Sequence, residues 1–205
     1  MFITELFEAT KGTAVLAYGR FNPPTIGHQK LIDKVLSIPG DHYIIVSHSQ
    51  DNKKNPLSAG EKITWLNKMY PGKRCFYAAS AESPSIMTWA STLYQKGYKN
   101  LIVICGDDRV PAFTALLNQY NGGFNDEGQG YNFNSLEILS SGVRDPDADG
   151  AEGMSASKLR ELAMAGNENE FKLGLHPALR PFAHKIMTQI SSRIGVKKPK
   201  KKNVS

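Results

Sequence analysis

A chain of 205 residues suits one α/β domain with a sizeable core, and nothing in its length requires a second. Of the formal net charge of +6, five charges belong to Lys197, Lys198, Lys200, Lys201 and Lys202. Taking these from the 25 basic residues leaves 20 against 19 acidic ones, a near-neutral body that argues against a general nucleic-acid-binding face.

In chain order, Thr13 to Tyr18 reads as a short buried strand. The following Leu31, Ile32, Val35 and Leu36 fall at helical spacing, so "GRFNPPTIGH" at 19–28 is a strand-to-helix junction. "HYIIVSH" at 42–48 predicts a second strand, and the polar loop "SQDNKKNPL" leads to Ser58-Ala59-Gly60-Glu61, a capping-box pattern that opens a helix through "KITWLNKMY". "RCFYAA" predicts a third strand, Ser83-Pro84 starts a helix through "SIMTWASTLYQKG", and "NLIVICG" is a fourth strand, apolar enough to be covered on both faces.

A helix through "RVPAFTALLNQY" follows, with Pro111 in its first turn. "NGGFNDEGQGYNFN" predicts an exposed loop, "SLEILS" a fifth strand, and "SGVRDPDADGAEG" a second loop leading to a helix over "MSASKLRELAMAG" capped by Ser155 or Ser157. One or two closing helices cover 168–190, interrupted near Gly174 and Pro177, and a disordered basic tail spans 191–205. Cys75 and Cys105 sit in apolar runs as buried, reduced thiols, and the acidic run Asp145, Asp147, Asp149 and Glu152 lacks the ligand periodicity of a calcium loop. The start "MFITELFEATKG" has no secretory character and no segment approaches membrane-spanning length. We therefore expect a cytoplasmic protein without a membrane partner.

The alternation of strands and helices predicts a Rossmann-like parallel sheet with helices on both faces, and ligands then bind beyond the carboxyl ends of the strands. Residues 19–28, 49–56, 105–109 and 141–160 converge on that edge. An isolated histidine there would read as a surface residue or a helix cap. Four polar segments together point to phosphate chemistry, where helix N-termini, glycines and basic side chains meet anions.

These segments resemble the nucleotidylyltransferase superfamily. "GRFNPPTIGH" looks like its (H/T)xGH motif, and "MSASKLR" looks like its late ISxTxxR signature. "KNPLSAGEKITWL" and "ICGDDR" are similar to segments of archaeal-type nicotinamide-nucleotide adenylyltransferases, and the likeness covers residues 13 to about 165. The resemblance implies a nucleotidylyltransferase domain over 13–190 after a leader at 1–12. It also implies transfer of a nucleoside monophosphate, AMP from ATP in the first instance, to a small phosphate-bearing acceptor with release of pyrophosphate. Mg²⁺ would arrive with the triphosphate, and oligomeric state is left open.

The resemblance also assigns roles. Thr25, His28 and Arg160 are the expected catalytic residues, with Thr25 and His28 donating to phosphate oxygens. Gly19, Arg20, Phe21, Asn22, Gly27, Gly106, Asp108, Ser155 and Ser157 are expected to bind the nucleotide, with the choice between Asp107 and Asp108 open. Lys54 and Asn55 are expected at triphosphate or acceptor. Trp89 is placed near a nicotinamide-stacking position, but its offset from Ile86 rotates it by roughly 200° around a helix, so core packing is the competing expectation.

Nicotinamide mononucleotide is the favoured acceptor. Cytidylyltransferases and pantetheine-phosphate adenylyltransferases share the same motifs. A further rival is a non-catalytic virion protein: "MFITELFEA" resembles the cleaved leaders of large tailed phages, with Ile3-Thr4-Glu5 and Leu6-Phe7-Glu8 in the pattern, against an ordinary amphipathic turn. The basic tail is expected to be solvated, with weak polyanion contact as its alternative.

Overall fold

The computed structural model describes residues 11–124, 130–142 and 154–195. Residues 1–10 of the leader, the acidic run at 145–152 and the lysine-rich end, with the expectations attached to them, lie outside the described residues, whereas Lys11 and Gly12 belong to the first strand.

A parallel sheet runs in the order β3-β2-β1-β4-β7, built from β1 (Lys11–Gly19), β2 (Asp41–Val46), β3 (Phe76–Ala78), β4 (Tyr98–Cys105) and β7 (Ser135–Ser140). Side chains alternate across β1 because successive Cβ atoms point to opposite faces. Val15 and Ala17 pack beneath α1 (Ile26–Ser37), α2 (Ala59–Met69), α5 (Ala156–Ala165), α6 (Glu168–Leu173) and α7 (Ala183–Ser191). Ala14 and Leu16 pack with α3 (Ile86–Gln95) and α4 (Val110–Gln119). All four are fully buried, which explains a strand with no polar side to show.

Parallel neighbours stand on both sides of β1, with Leu16 in register with Tyr43 of β2 and with Val103 of β4. The chain therefore winds outward in both directions from β1, and loops leaving the carboxyl ends of β1 and β4 diverge to leave a crevice.

Local expectations are corrected at four places. β3 has three residues instead of six. Ser85, not Ser83, caps α3, accepting from Thr88 N–H at 3.3 Å. The stretch 121–134 is not simply an exposed loop: β5 (Gly123–Phe124) and β6 (Gly130–Tyr131) pair antiparallel, and Tyr131 and Phe133 are buried. Their aromatic area pays better in the α3 layer than in water, and the Tyr131 hydroxyl stays satisfied by donating to Leu117 O at 2.9 Å. Finally, α7 runs to Ser191 and Gly195 N–H donates to Asn52 O at 3.1 Å, so residues 191–195 belong to the folded body.

Candidate active site

The β1–α1 loop begins with Phe21 at φ 46°, a left-handed conformation that turns its ring down into the core, fully buried and 4.8 Å from the His28 ring. Gly19 makes room: a Cβ there would meet the Phe21 ring at 2.8 Å. Asn22 is also buried, and both ends of its amide serve Leu57, with Nδ2 donating to Leu57 O at 3.0 Å and Oδ1 accepting from Leu57 N–H at 2.9 Å. Phe21 and Asn22 thus support the loop from within, through packing and through the Leu57 hydrogen bonds.

Thr25 is the N-cap of α1, and its backbone N–H donates to His28 Nδ1 at 3.0 Å. A nitrogen that accepts from an amide carries no proton of its own, so neutral His28 holds its proton on Nε2. Thr25 Oγ1 lies 2.9 Å from the same Nδ1 and donates to it, with the residue only 2% exposed. Thr25 therefore orients the imidazole. The first amide of α1, Ile26 N–H, is taken by Gly174 O at 2.9 Å, which ties this helix start to the end of α6.

A cavity of about 830 Å³ opens at the carboxyl edge between β1 and β4. Gly19, Arg20, Thr25, Gly27, His28, Gly106 and Asp108 line it, so the structure gathers seven of the expected residues around one space. No protein atom lies closer than 3.5 Å to a Cβ built on Gly27, so a side chain there would take cavity space rather than strike the fold. Of the acidic pair, Asp108 faces the cavity. Its exposed carboxylate lies 3.6 Å from Arg109 Nε in a solvated ion pair.

The late motif reaches the same loop from the other side. Ser155 caps α5 and accepts from Lys158 N–H at 2.9 Å, whereas Ser157 Oγ accepts from Arg160 Nη2 at 2.9 Å. Arg160 Nη1 donates to Asn22 O at 2.8 Å, binding the two motifs together. Burial, and after it the Arg20 charge, lower the Arg160 pKa against smaller opposing pulls from Asp51 and Glu161. Two guanidiniums repelling across a half-buried site make a place for an anion.

The β2–α2 loop stands beside this junction through the Asn22–Leu57 bonds. One Asp51 oxygen accepts from the backbone N–H groups of Lys53, Lys54 and Asn55 at 2.8, 2.6 and 3.2 Å, and the other from Asn55 Nδ2 at 2.6 Å. These hydrogen bonds, Asn55 first, hold the Asp51 carboxyl far below its usual range. Lys54 is exposed, whereas Asn55 is buried and its Oδ1 has no hydrogen-bond partner among the described residues. Asn55 thus pins the loop through Nδ2, while its Oδ1 stays unpaired among the described residues. Trp89 is half-buried on α3 with its ring 6.0 Å from Tyr77, and it does not line the cavity. Its contact with Tyr77 is the packing alternative, and its buried Nε1 has no hydrogen-bond partner among the described residues.

Residues 16–162 match the sequence pattern of the cytidylyltransferase-like family, well over half of the chain. The chain belongs to that family. No curated protein matches it, but solved structures do. It is similar to nicotinic acid mononucleotide adenylyltransferase of Plasmodium falciparum complexed with NaAD, at TM-score 0.58 and 14% identity over 87% of this chain and 97% of that one. It is also similar to a bifunctional NMN adenylyltransferase/ADP ribose pyrophosphatase from Francisella tularensis, at TM-score 0.56 and 12% identity over 89% of this chain and 52% of that one. At these identities the likeness establishes the fold, and family membership makes this cytidylyltransferase-like chain a nucleotidyltransferase.

Several parts of this cytidylyltransferase-like site escape sequence reasoning. Cys105 lines the cavity from the end of β4, and burial followed by the Asp108 charge pushes its thiol up to about 11, which keeps it protonated. Lys62 on α2 is fully buried, and its Nζ donates to Ser47 O at 2.8 Å and to Ser47 Oγ and Ser49 O at 3.3 Å. Desolvation lowers its pKa to about 8 despite the Asp51 charge. Neither residue carries a local signal, since a lysine in a capped helix and a cysteine in an apolar strand both read as ordinary. No group of three His, Cys, Asp or Glu side chains suited to a metal occurs among the described residues, and no described helix is long and apolar enough to cross a membrane.

Proposed function

We propose that this chain transfers AMP from ATP to the phosphate of nicotinamide mononucleotide, releasing pyrophosphate. The observation that carries the reading is His28: its ring is oriented through Nδ1 by Thr25 and lines the same cavity as Arg20. An acceptor phosphate oxygen attacks the α-phosphorus and forms a new P–O bond. The bond from that phosphorus to the bridging oxygen breaks, and pyrophosphate leaves with the electron pair.

No covalent enzyme intermediate is needed, so positioning and charge stabilisation supply the rate. His28 Nε2–H donates to the phosphate oxygens as charge builds on them. Arg20 and Arg160 hold the triphosphate with the Ser155-capped start of α5, and Lys54 holds the acceptor phosphate. Mg²⁺ bound to the triphosphate would offset its negative charge, and Asp108, one of two exposed carboxylates at the cavity with Asp33, stands by the β4 end where it would hold one of the metal's waters. The nicotinamide choice is supported by the "GRFNP" and "KNPL" segments together with the likeness to the Francisella tularensis NMN adenylyltransferase, and the likeness to the Plasmodium falciparum enzyme makes the acid form its direct competitor.

Because the matching family is described as cytidylyltransferase-like, CTP is the comparison that matters. Pyrophosphate release should be measured with ATP, CTP, GTP and UTP against nicotinamide mononucleotide, its acid form, phosphopantetheine, glycerol phosphate and sugar phosphates. Turnover with ATP and nicotinamide mononucleotide is the expected result. Turnover with CTP and an alcohol phosphate in its place would overturn the adenylyl assignment, and no release with any pair would overturn transfer itself.

A further inference from the structure

The β2–α2 loop is gripped from several directions at once. Asn22 holds Leu57 from the β1–α1 loop, and Lys62 holds Ser47 and Ser49 from beneath. The remaining grip comes from the end of the described chain, beyond all the motifs. Arg193 Nη1 donates to Pro56 O at 3.0 Å, while Gly195 N–H donates to Asn52 O. Residues 52, 56 and 57 are thus held from outside, and the Asp51 carboxylate gathers the amides of 53 to 55 between them.

Arg193 is itself held in place. Nη2 donates to Glu61 Oε1 at 2.9 Å and Nη1 to Glu61 Oε2, a two-pronged pair. Glu61 also accepts from Ser58 N–H and Ser58 Oγ, each at 2.9 Å, closing the cap of α2, and from Gln189 Nε2 at 3.0 Å. Burial alone would raise the Glu61 pKa, but Arg193 and Ser58 outweigh it and leave the carboxyl below its ordinary value. With both oxygens committed, Glu61 has no role as a catalytic base. It is the anchor on which Arg193 turns towards Pro56.

We infer that Arg193 is a positioning residue for the acceptor phosphate: the turn after α7 fastens the β2–α2 loop so that Lys54 is presented in one place before substrate arrives. This rests on the reading of Lys54 as an acceptor-phosphate ligand. The physical gain is that the loop's ordering entropy is spent during folding instead of on binding. A point charge does not replace the guanidinium, because reaching Pro56 O and both Glu61 oxygens takes a fork of donors.

The test compares the full chain with Arg193→Met, Arg193→Lys and Lys54→Ala, by steady-state kinetics with each substrate varied and by amide hydrogen exchange over residues 51–57. In Arg193→Met, exchange of the loop amides should quicken and the acceptor KM should rise, each roughly tenfold, while kcat and the ATP KM stay within about twofold. Arg193→Lys should recover only part of the acceptor KM. Unchanged exchange in a folded Arg193→Met variant, or an equal loss for both substrates, would overturn the inference. Faster exchange with an acceptor KM unchanged in both Arg193→Met and Lys54→Ala would overturn instead the reading of Lys54. An acceptor KM raised by Lys54→Ala alone would leave that reading standing and sink the role of Arg193.

Discussion

Across the cavity, the β1–α1 loop and the turn between β4 and α4 are built in opposite ways. In the first, Phe21, Asn22 and Thr25 are buried, and the polar atoms of Asn22 and Thr25 are engaged in orienting Leu57 and His28. In the second, Asp107, Asp108 and Arg109 are exposed, and the Asp108–Arg109 pair is largely solvated. A group that stabilises developing charge works best when its geometry is fixed in advance, whereas a group that meets a hydrated metal or a ribose loses little by adapting. On the proposed reading, the rigid loop carries the chemistry and the open turn the recognition.

The largest effect that would break this contrast is at His28. His28→Ala should lower kcat by about 10²–10³ with little change in ATP affinity, because the imidazole acts on charge that forms in the transition state, and should also lower Tm, because the buried Thr25 N–H and hydroxyl lose their partner. Full turnover in a folded variant would remove His28 from the reaction. Asn22→Ala comes next, acting through structure: it leaves the Leu57 N–H and C=O without their buried partner and should cost roughly 2–4 kcal/mol in urea unfolding. If stability were unchanged while nucleotide affinity fell, Asn22 would be a ligand after all.

Lys62 sharpens the comparison through pH. Its folded pKa of about 8 lies below that of an unfolded lysine, about 10.4, so the unfolded chain binds more protons between those values. The cost of burying its charge is complete below pH 8 and is relieved as pH rises towards 10.4. Wild type should therefore gain stability relative to Lys62→Met over that window in paired unfolding curves, and parallel curves would show that Lys62 does not titrate there. On the open side, Asp108→Asn should change kcat by less than about tenfold without altering Tm, as suits a solvated carboxylate. A hundredfold fall in kcat would move Asp108 into the chemistry. The smallest effect is expected from truncation after Val196, which keeps Arg193 and Gly195 and should leave both KM values unchanged. A large loss with short substrates would show that the tail reaches the site.

Much was legible in the sequence by itself. The alternation of apolar strands and capped helices determined the parallel α/β architecture, since strand and helix periods are local properties of the chain. Of the four polar segments, 19–28 and 105–109 line the cavity at the carboxyl edge, with His28, Arg20 and Asp108 among its residues, as do Ser141 and Gly142. Tertiary structure alone decided what each polar side chain faces. A motif asparagine that binds a neighbouring loop is indistinguishable, as a letter, from one that binds a nucleotide, so the hydrogen bonds of Asn22 to Leu57 and of Asn55 to Asp51 were not legible. Lys62 and Arg193 were missed because their partners are remote or lack a sequence pattern: Arg193 meets Pro56 and Glu61 across more than 130 residues, and Lys62 meets backbone carbonyls that any residue would supply. Periodicity and capping report interactions within a few residues, while the direction of a side chain in a packed site depends on segments brought together only when the sheet closes.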